Sequence, residues 1–181
     1  MYPFVRLAKD LWVARNATEL PPLGAHVSYH RCWPQDIDWF MEMNNGRILT
    51  VMELGRTVLA KRVGLLGAIR DNGWGLTVAG SSIRYRKRIR PFVTFKLVSH
   101  AVGWDDKFFY LNHTIWLGED CAVQGLFRTA ATDKNGIVPP QKVFDYVGHE
   151  GEPPKPPPWV QAWIDADRTR PWPPELPDDL T

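Results

Sequence analysis

The hydrophobic period of the chain changes once, and the change divides it. From Arg47 to about Leu66, apolar residues recur at helical spacing, at Ile48, Met52, Leu59, Val63 and Leu66, with no proline among them. Val51, Leu54, Val58 and Leu65 carry apolar character round most of the circumference, so the pattern predicts a buried helix wrapped by something else. Gly55 in its middle costs helix propensity, and a strand crossing close by would account for it. Beyond the helix the period falls to two. Trp74 to Ile89, Phe92 to Gly103, Lys107 to Leu117 and Ala122 to Thr132 each read as strands rich in aromatic and β-branched residues. Asp71-Asn72-Gly73, Arg90-Pro91, Gly103-Trp104-Asp105-Asp106 and Gly118-Glu119-Asp120 separate them. The last three are short enough for consecutive strands to pair antiparallel. Ala25 to Trp33 makes an earlier strand, ended by Pro34. One apolar helix and one antiparallel sheet bury each other best when the sheet curls round the helix, an α+β architecture.

The flanks differ from this centre. In the N-terminal extension, residues 1–23, Phe4, Leu7, Ala8, Leu11 and Trp12 fall at helical spacing. Such a helix either packs on the domain of residues 24–147 or lies on a membrane surface, and its first residues are too short and interrupted a run for a secretory signal. From Gly148 the composition shifts again: Pro153, Pro154, Pro156, Pro157 and Pro158 give an extended tract, then Trp159 to Asp167 has room for one or two helical turns. Pro171-Trp172-Pro173-Pro174 and Pro177 follow. This tail, residues 148–181, cannot build its own core, so Trp159, Trp163 and Trp172 are expected to dock it on the domain or across a dimer. A role as a proline-motif ligand is the alternative.

Composition narrows the function classes. At 181 residues with 44% apolar content, the chain is one domain with extensions, and a net charge of +2 argues against a general nucleic-acid binder. Cys32 and Cys121 make neither a disulfide framework nor a metal site and fit a reducing, cytoplasmic compartment. No run reaches the length of a transmembrane span. His26, His30, His100, His113 and His149 are scattered without metal spacing, and His113, in an apolar strand, reads as a core residue. Neither a Gly-Xaa-Ser-Xaa-Gly elbow nor a nucleotide-binding glycine loop occurs, which counts against a serine hydrolase or a dinucleotide enzyme.

The chemistry concentrates at residues 36–56. Two acids, Asp36 and Asp38, and the pair Asn44-Asn45 stand directly ahead of the long helix, with Gly46 leaving room at its first turn. Asn44 or Asn45 would cap that helix. A carboxylate, amide groups and a positive helix end in one volume are the parts needed to attack an activated carbonyl and hold the resulting oxyanion. A second feature is Ile83 to Arg90. On a strand, Arg84, Arg86, Arg88 and Arg90 would share one side, either as phosphate ligands or as a solvated sheet face.

Four segments together carry a family resemblance: Asp36-Ile37-Asp38 through Asn45-Gly46-Arg47, Glu53-Leu54-Gly55-Arg56, Arg88-Ile89-Arg90-Pro91-Phe92, and Gly103-Trp104-Asp105-Asp106-Lys107-Phe108-Phe109-Tyr110. In order and spacing they resemble hotdog-fold acyl-CoA thioesterases related to 4-hydroxybenzoyl-CoA thioesterase, over roughly residues 24–147. The resemblance implies an antiparallel sheet around a central helix. It also implies hydrolysis of an acyl-CoA or acyl-carrier-protein thioester by a homodimer, possibly a tetramer, with sites at the subunit interface. No cofactor or metal is implied beyond the coenzyme A of the substrate. By position, Asp38 matches the catalytic acid, as general base or nucleophile. Asn45, with Asn44 and the amides of Gly46 and Arg47, would orient the thioester and polarise its carbonyl. Glu53 matches an acidic helix position that reads first as a partner of Arg56 and second as a base, and Arg88 or Arg90 would meet the coenzyme A phosphates. Glu42 stands where relatives often have His, and Ile48 where they often have Tyr. An acid at 42 would couple to Asp38 and raise at least one carboxylate pKa, serving as base or proton carrier. Equally, the exchange would mark a non-catalytic acyl-thioester-binding protein.

Overall fold

The computed structural model describes residues 3–148 and 154–176; His149, Pro153 and Pro177 lie outside the described residues. The central element is helix α2, Asn45–Arg62. It is shorter than its apolar pattern predicts. Gly64 adopts the left-handed conformation at φ +79° and ends it, and a second helix, α3, Leu65–Asn72, starts beyond. Both helices bury apolar residues, so the period runs on across a break that it does not register.

Five strands form the sheet around α2: β1 (His26–Arg31), β2 (Gly75–Tyr85), β3 (Thr94–Trp104), β4 (Phe109–Leu117) and β5 (Asp120–Asp133), in the order β1-β3-β4-β5-β2. The hairpins β3–β4 and β4–β5 pair antiparallel, as the short turns predict. The expected β2–β3 hairpin does not form: β2 pairs with β5, from Gly75↔Thr132 to Tyr85↔Val123, and β3 pairs with β1. Residues 86–93 instead cross over irregularly, and Ile89 turns into the core, where its carbonyl accepts the Met43 N–H at 2.8 Å. A sixth strand, β6 (Gly136–Val138), which no pattern marked, pairs with β5 at Ala131 to Asp133, past the end of β4. Gly55 has the expected reason: a Cβ there would fall 2.5 Å from Ser99 Oγ and 2.6 Å from Leu97 Cδ2, so only glycine lets α2 touch β3 this closely.

Ile48, Val51 and Met52 of α2 fill the concave side of the sheet against Phe95, Leu97, Ile115 and Val123. Helix α4 (Pro140–Tyr146) closes one end, with Phe144 stacked on Trp104 at 3.9 Å between centroids. Helix α1 (Phe4–Val13) packs along α2, and Lys61 of α2 donates to the Leu11 carbonyl at 3.1 Å. Helix α5 (Pro158–Arg168) is longer than the expected one or two turns. Val160 and Ile164 bury it against Tyr110 and Leu126, which alternate with the core-facing residues and so lie on the outer sheet face. Arg128 and Asp167 pair at 2.6 Å beside them. Of the three tail tryptophans, Trp163 joins this contact, whereas Trp159 is nearly half exposed and Trp172 stands in solvent. Buried β-branched side chains dock the helix because they fit a flat sheet more closely than indole rings do. Among the described residues no helix is long and apolar enough to cross a membrane.

Candidate active site at the start of the central helix

Pro34–Asp36 forms a single 3-10 turn whose Asp36 carboxylate accepts the Trp33 N–H at 2.8 Å, so Asp36 turns the loop as its position predicts. It also does more. Only 2% exposed, it pairs with Arg6 of α1 and, at 3.2 Å, with Arg47 in the first turn of α2, while its carbonyl accepts the Asn44 N–H at 2.8 Å. The enclosed carboxylate therefore ties α1, the loop and the helix start together, and its oxygens are occupied. Arg6 was not legible as a site residue: thirty positions separate it from Asp36, and only the packing of α1 closes that distance.

Ile37 and Met43 bridge antiparallel, and the Asp38 N–H donates to the Glu42 carbonyl at 2.8 Å. Residues 38–42 thus make a closed turn, with Met41 held at φ +57°. Half-buried Asp38 sits at its root. One of its carboxylate oxygens accepts the Phe40 N–H at 2.9 Å, which fixes the side chain and leaves the second oxygen for other chemistry.

Asn44 is the helix cap. Its side-chain oxygen accepts the N–H groups of Gly46 at 2.9 Å and Arg47 at 3.4 Å, and Asn45 becomes the exposed first residue of α2. The two amides expected to polarise a substrate carbonyl are therefore engaged by the cap. Asn45's own N–H is not one of that pair, and the positive end of α2 acts at the same place.

An open cleft of about 400 Å³ lies here, lined by Asp36, Ile37, Asn44, Gly46, Arg47 and Thr50, together with Gln35. Asn44, Gly46 and Arg47 are gathered in it; Asp38 and Glu42 occupy the adjoining turn. Glu42 faces Arg88, Oε2 to Nε at 3.1 Å, so a guanidinium compensates its charge rather than Asp38 sharing it. The basic ladder also ends early. Because β2 stops at Tyr85, Arg84 alone of the four arginines lies on the strand, and Arg86, Arg88 and Arg90 follow in the crossover, exposed. Glu53 is eight residues beyond Asn45, about 12 Å along the helix axis, and is not brought to the turn. With Arg56 and Thr57 it lines a separate cavity of about 300 Å³ whose walls are mainly apolar, among them Leu59, Val63 and Leu111.

The histidines do not join this site. His113 is fully buried, its Nδ1 2.7 Å from Ser99 Oγ, and burial, then Arg56 and His100, hold its pKa well below the usual value. His26 is lowered to about 4 by burial and by Arg62, and His30 to about 4 by burial, then Lys9, Arg6 and His26. Cys32 and Cys121 are free thiols whose pKa values burial raises. Among the described residues no cluster of three His, Cys, Asp or Glu side chains is placed to hold a metal ion.

An apolar helix wrapped by an antiparallel sheet in this strand order, with a capped cleft at the helix start, is a hotdog domain. The chain belongs to the thioesterase-like superfamily, whose family model matches residues 32–164. Protein THEM6 of Drosophila melanogaster is 31% identical over 141 residues, 76% of this chain and 71% of that protein. Protein THEM6 of Xenopus laevis is 30% identical over 131 residues, 72% of this chain, and the chain spans 63% of the frog protein's length. The DHNA-CoA thioesterase of Staphylococcus aureus superposes with a TM-score of 0.60 at 13% identity, covering 80% of this chain and 91% of its own, a likeness of fold.

Proposed function

We propose that the protein hydrolyses an acyl-CoA thioester to free acid and thiol, with Asp38 as the reacting carboxylate. The observation that supports this most is the turn of residues 38–42, stitched to the start of α2 through Ile37–Met43 and the Asn44–Asp36 bond in a chain of this superfamily. In one route the free oxygen of Asp38 takes a proton from water as it attacks the thioester carbonyl. In the other it attacks directly, expelling the thiolate and leaving a mixed anhydride that water then opens. In both, negative charge builds on the carbonyl oxygen. The positive end of α2, with the N–H and side chain of Asn45, is the stabiliser in reach, because Asn44 already holds Gly46 and Arg47. Arg90 is exposed toward solvent for coenzyme A phosphate. Arg88 is largely exposed too, and its surface pair with Glu42 is weak enough to be exchanged for a phosphate. The apolar cavity farther along α2 suits the acyl portion.

The assembly in this reading is a homodimer. β2 ends the sheet as an eleven-residue edge with its free side unpaired and Leu76, Val78 and Tyr85 exposed, a template for antiparallel pairing with a second copy. A second reading, acyl-thioester binding without turnover, draws on Glu42: where an acid is neutralised by Arg88, no proton donor stands at that position. Thiol release measured with a chromogenic thiol reagent over a panel of acyl-CoAs, alongside light scattering for mass, separates the two. The expected result is release by the native protein and loss of about a hundredfold or more in Asp38→Asn, with the dimer retained. Unchanged turnover in that variant would remove Asp38 from the mechanism. Silence of the native protein, with release appearing in Glu42→His, would establish the binding reading.

A further inference from the structure

The turn that carries Asp38 presents three consecutive large apolar side chains to water: Trp39, Phe40 and Met41 are 92%, 72% and 60% exposed. This is no slack loop. Asp38 N–H to Glu42, Met41 N–H to Asp38 and Phe40 N–H to the Asp38 carboxylate close it, and Met41 holds a left-handed backbone that a bulky residue adopts only at some cost. A rigid turn aimed outward with such a tip is built to enter a less polar phase.

The surroundings are cationic. Arg88 reaches the turn through Glu42, and on the same crossover Arg86 and Arg90 are exposed with no ion pair among the described residues, while Lys87 pairs with Asp120 at 2.5 Å. Helix α1, fastened to the loop by Arg6, repeats the chemistry. It buries no residue completely and exposes Phe4, Val5 and Trp12, with exposed Lys9 on the helix and, just beyond it, Arg15 set 3.8 Å over the Trp12 ring.

We propose that this surface, the Trp39-Phe40-Met41 tip with its arginine rim and the outer face of α1, docks on an anionic lipid bilayer. Aromatic and aliphatic groups would sit at the headgroup boundary and the guanidiniums would meet the phosphates. Charge decides for lipid over a second copy of the chain. A twofold contact made by this patch would bring its unpaired arginines toward their own copies, whereas an anionic surface satisfies them.

The test is co-sedimentation with vesicles of phosphatidylcholine alone and of phosphatidylcholine mixed with phosphatidylglycerol, with sedimentation velocity on the same samples. The native protein is expected to bind the anionic vesicles, less strongly as salt rises. Trp39→Ser with Phe40→Ser should lower that binding about tenfold or more, and Arg86→Glu should lower it too. Both side chains are exposed and the closing bonds are main-chain or from Asp38, so the variant's melting curve should match the native one. Failure of the native protein to sediment with anionic vesicles overturns the proposal, as does equal binding by the double variant. A double variant that turns a dimer into a monomer, with no lipid binding in either form, assigns the patch to a second copy instead. Because binding is read without turnover, the outcome is independent of thioester hydrolysis.

Discussion

Replacing Asp36 by Asn is the most direct probe of what holds the candidate site together. The change keeps the shape and removes the charge of a carboxyl group that is 2% exposed and faces two guanidiniums, Arg6 and Arg47, each themselves mostly covered. Breaking a buried pair by removing one partner costs roughly 3–5 kcal/mol, because the opposite charge stays behind without compensation. Here the arginines keep some contact with water and the amide oxygen can still accept the Trp33 N–H, so the lower end, about 3 kcal/mol, is expected. For a chain of this size that corresponds to a fall in Tm of roughly 6–12 °C. Thermal and urea unfolding followed by circular dichroism measure it. In a double-mutant cycle with Arg6→Met, the two changes should overlap by at least about 1 kcal/mol, since either one breaks the same contact. An Asp36→Asn protein melting within about 2 °C of the native one, or strictly additive effects, would show that the ion pairs are not what fastens α1 and α2 to the loop.

Other consequences are open to measurement. Gly55→Ala sets a helix gain of about 1 kcal/mol against contacts at 2.5 and 2.6 Å that need the sheet to move, at about 1–3 kcal/mol. The balance should be a lower urea midpoint, whereas Gly67→Ala in α3, which meets nothing within 4 Å, should raise it. His26 and His30 have folded pKa values of about 4, below the unfolded value of 6.5. The unfolded chain therefore binds protons first as the pH falls, and the stability present above about 6.5 should be lost progressively toward about 4. His30→Gln should flatten that decline, and a Tm profile that stays level from pH 7 to 4.5 would refute the assignment. Ile164→Ala, which empties a buried contact between α5 and the sheet, should destabilise the protein by about 2–4 kcal/mol and expose α5 to limited proteolysis.

Local pattern sufficed for the elements and their chemistry. The apolar run after Arg47, the period-two segments that follow it, and the acids and Asn pair at its start are all short-range signals, and each corresponds to a helix, strand or turn of the structure. Gly55 could even be read as a crossing point, because a glycine inside a good helix needs a reason. What pattern does not encode is which strand lies beside which. β2 and β3 are consecutive, yet β4 and β5 stand between them, since closing the sheet round α2 sends residues 86–93 across its end. The break at Gly64 was hidden for a similar reason: periodicity records which side is apolar, not whether the backbone is continuous. At the site, proximity in sequence favoured pairing Glu42 with Asp38, while tertiary packing supplied Arg88 to Glu42 and Arg6 to Asp36. Charges select partners by distance and solvent exposure in the folded state, and those are properties of the whole arrangement rather than of any segment.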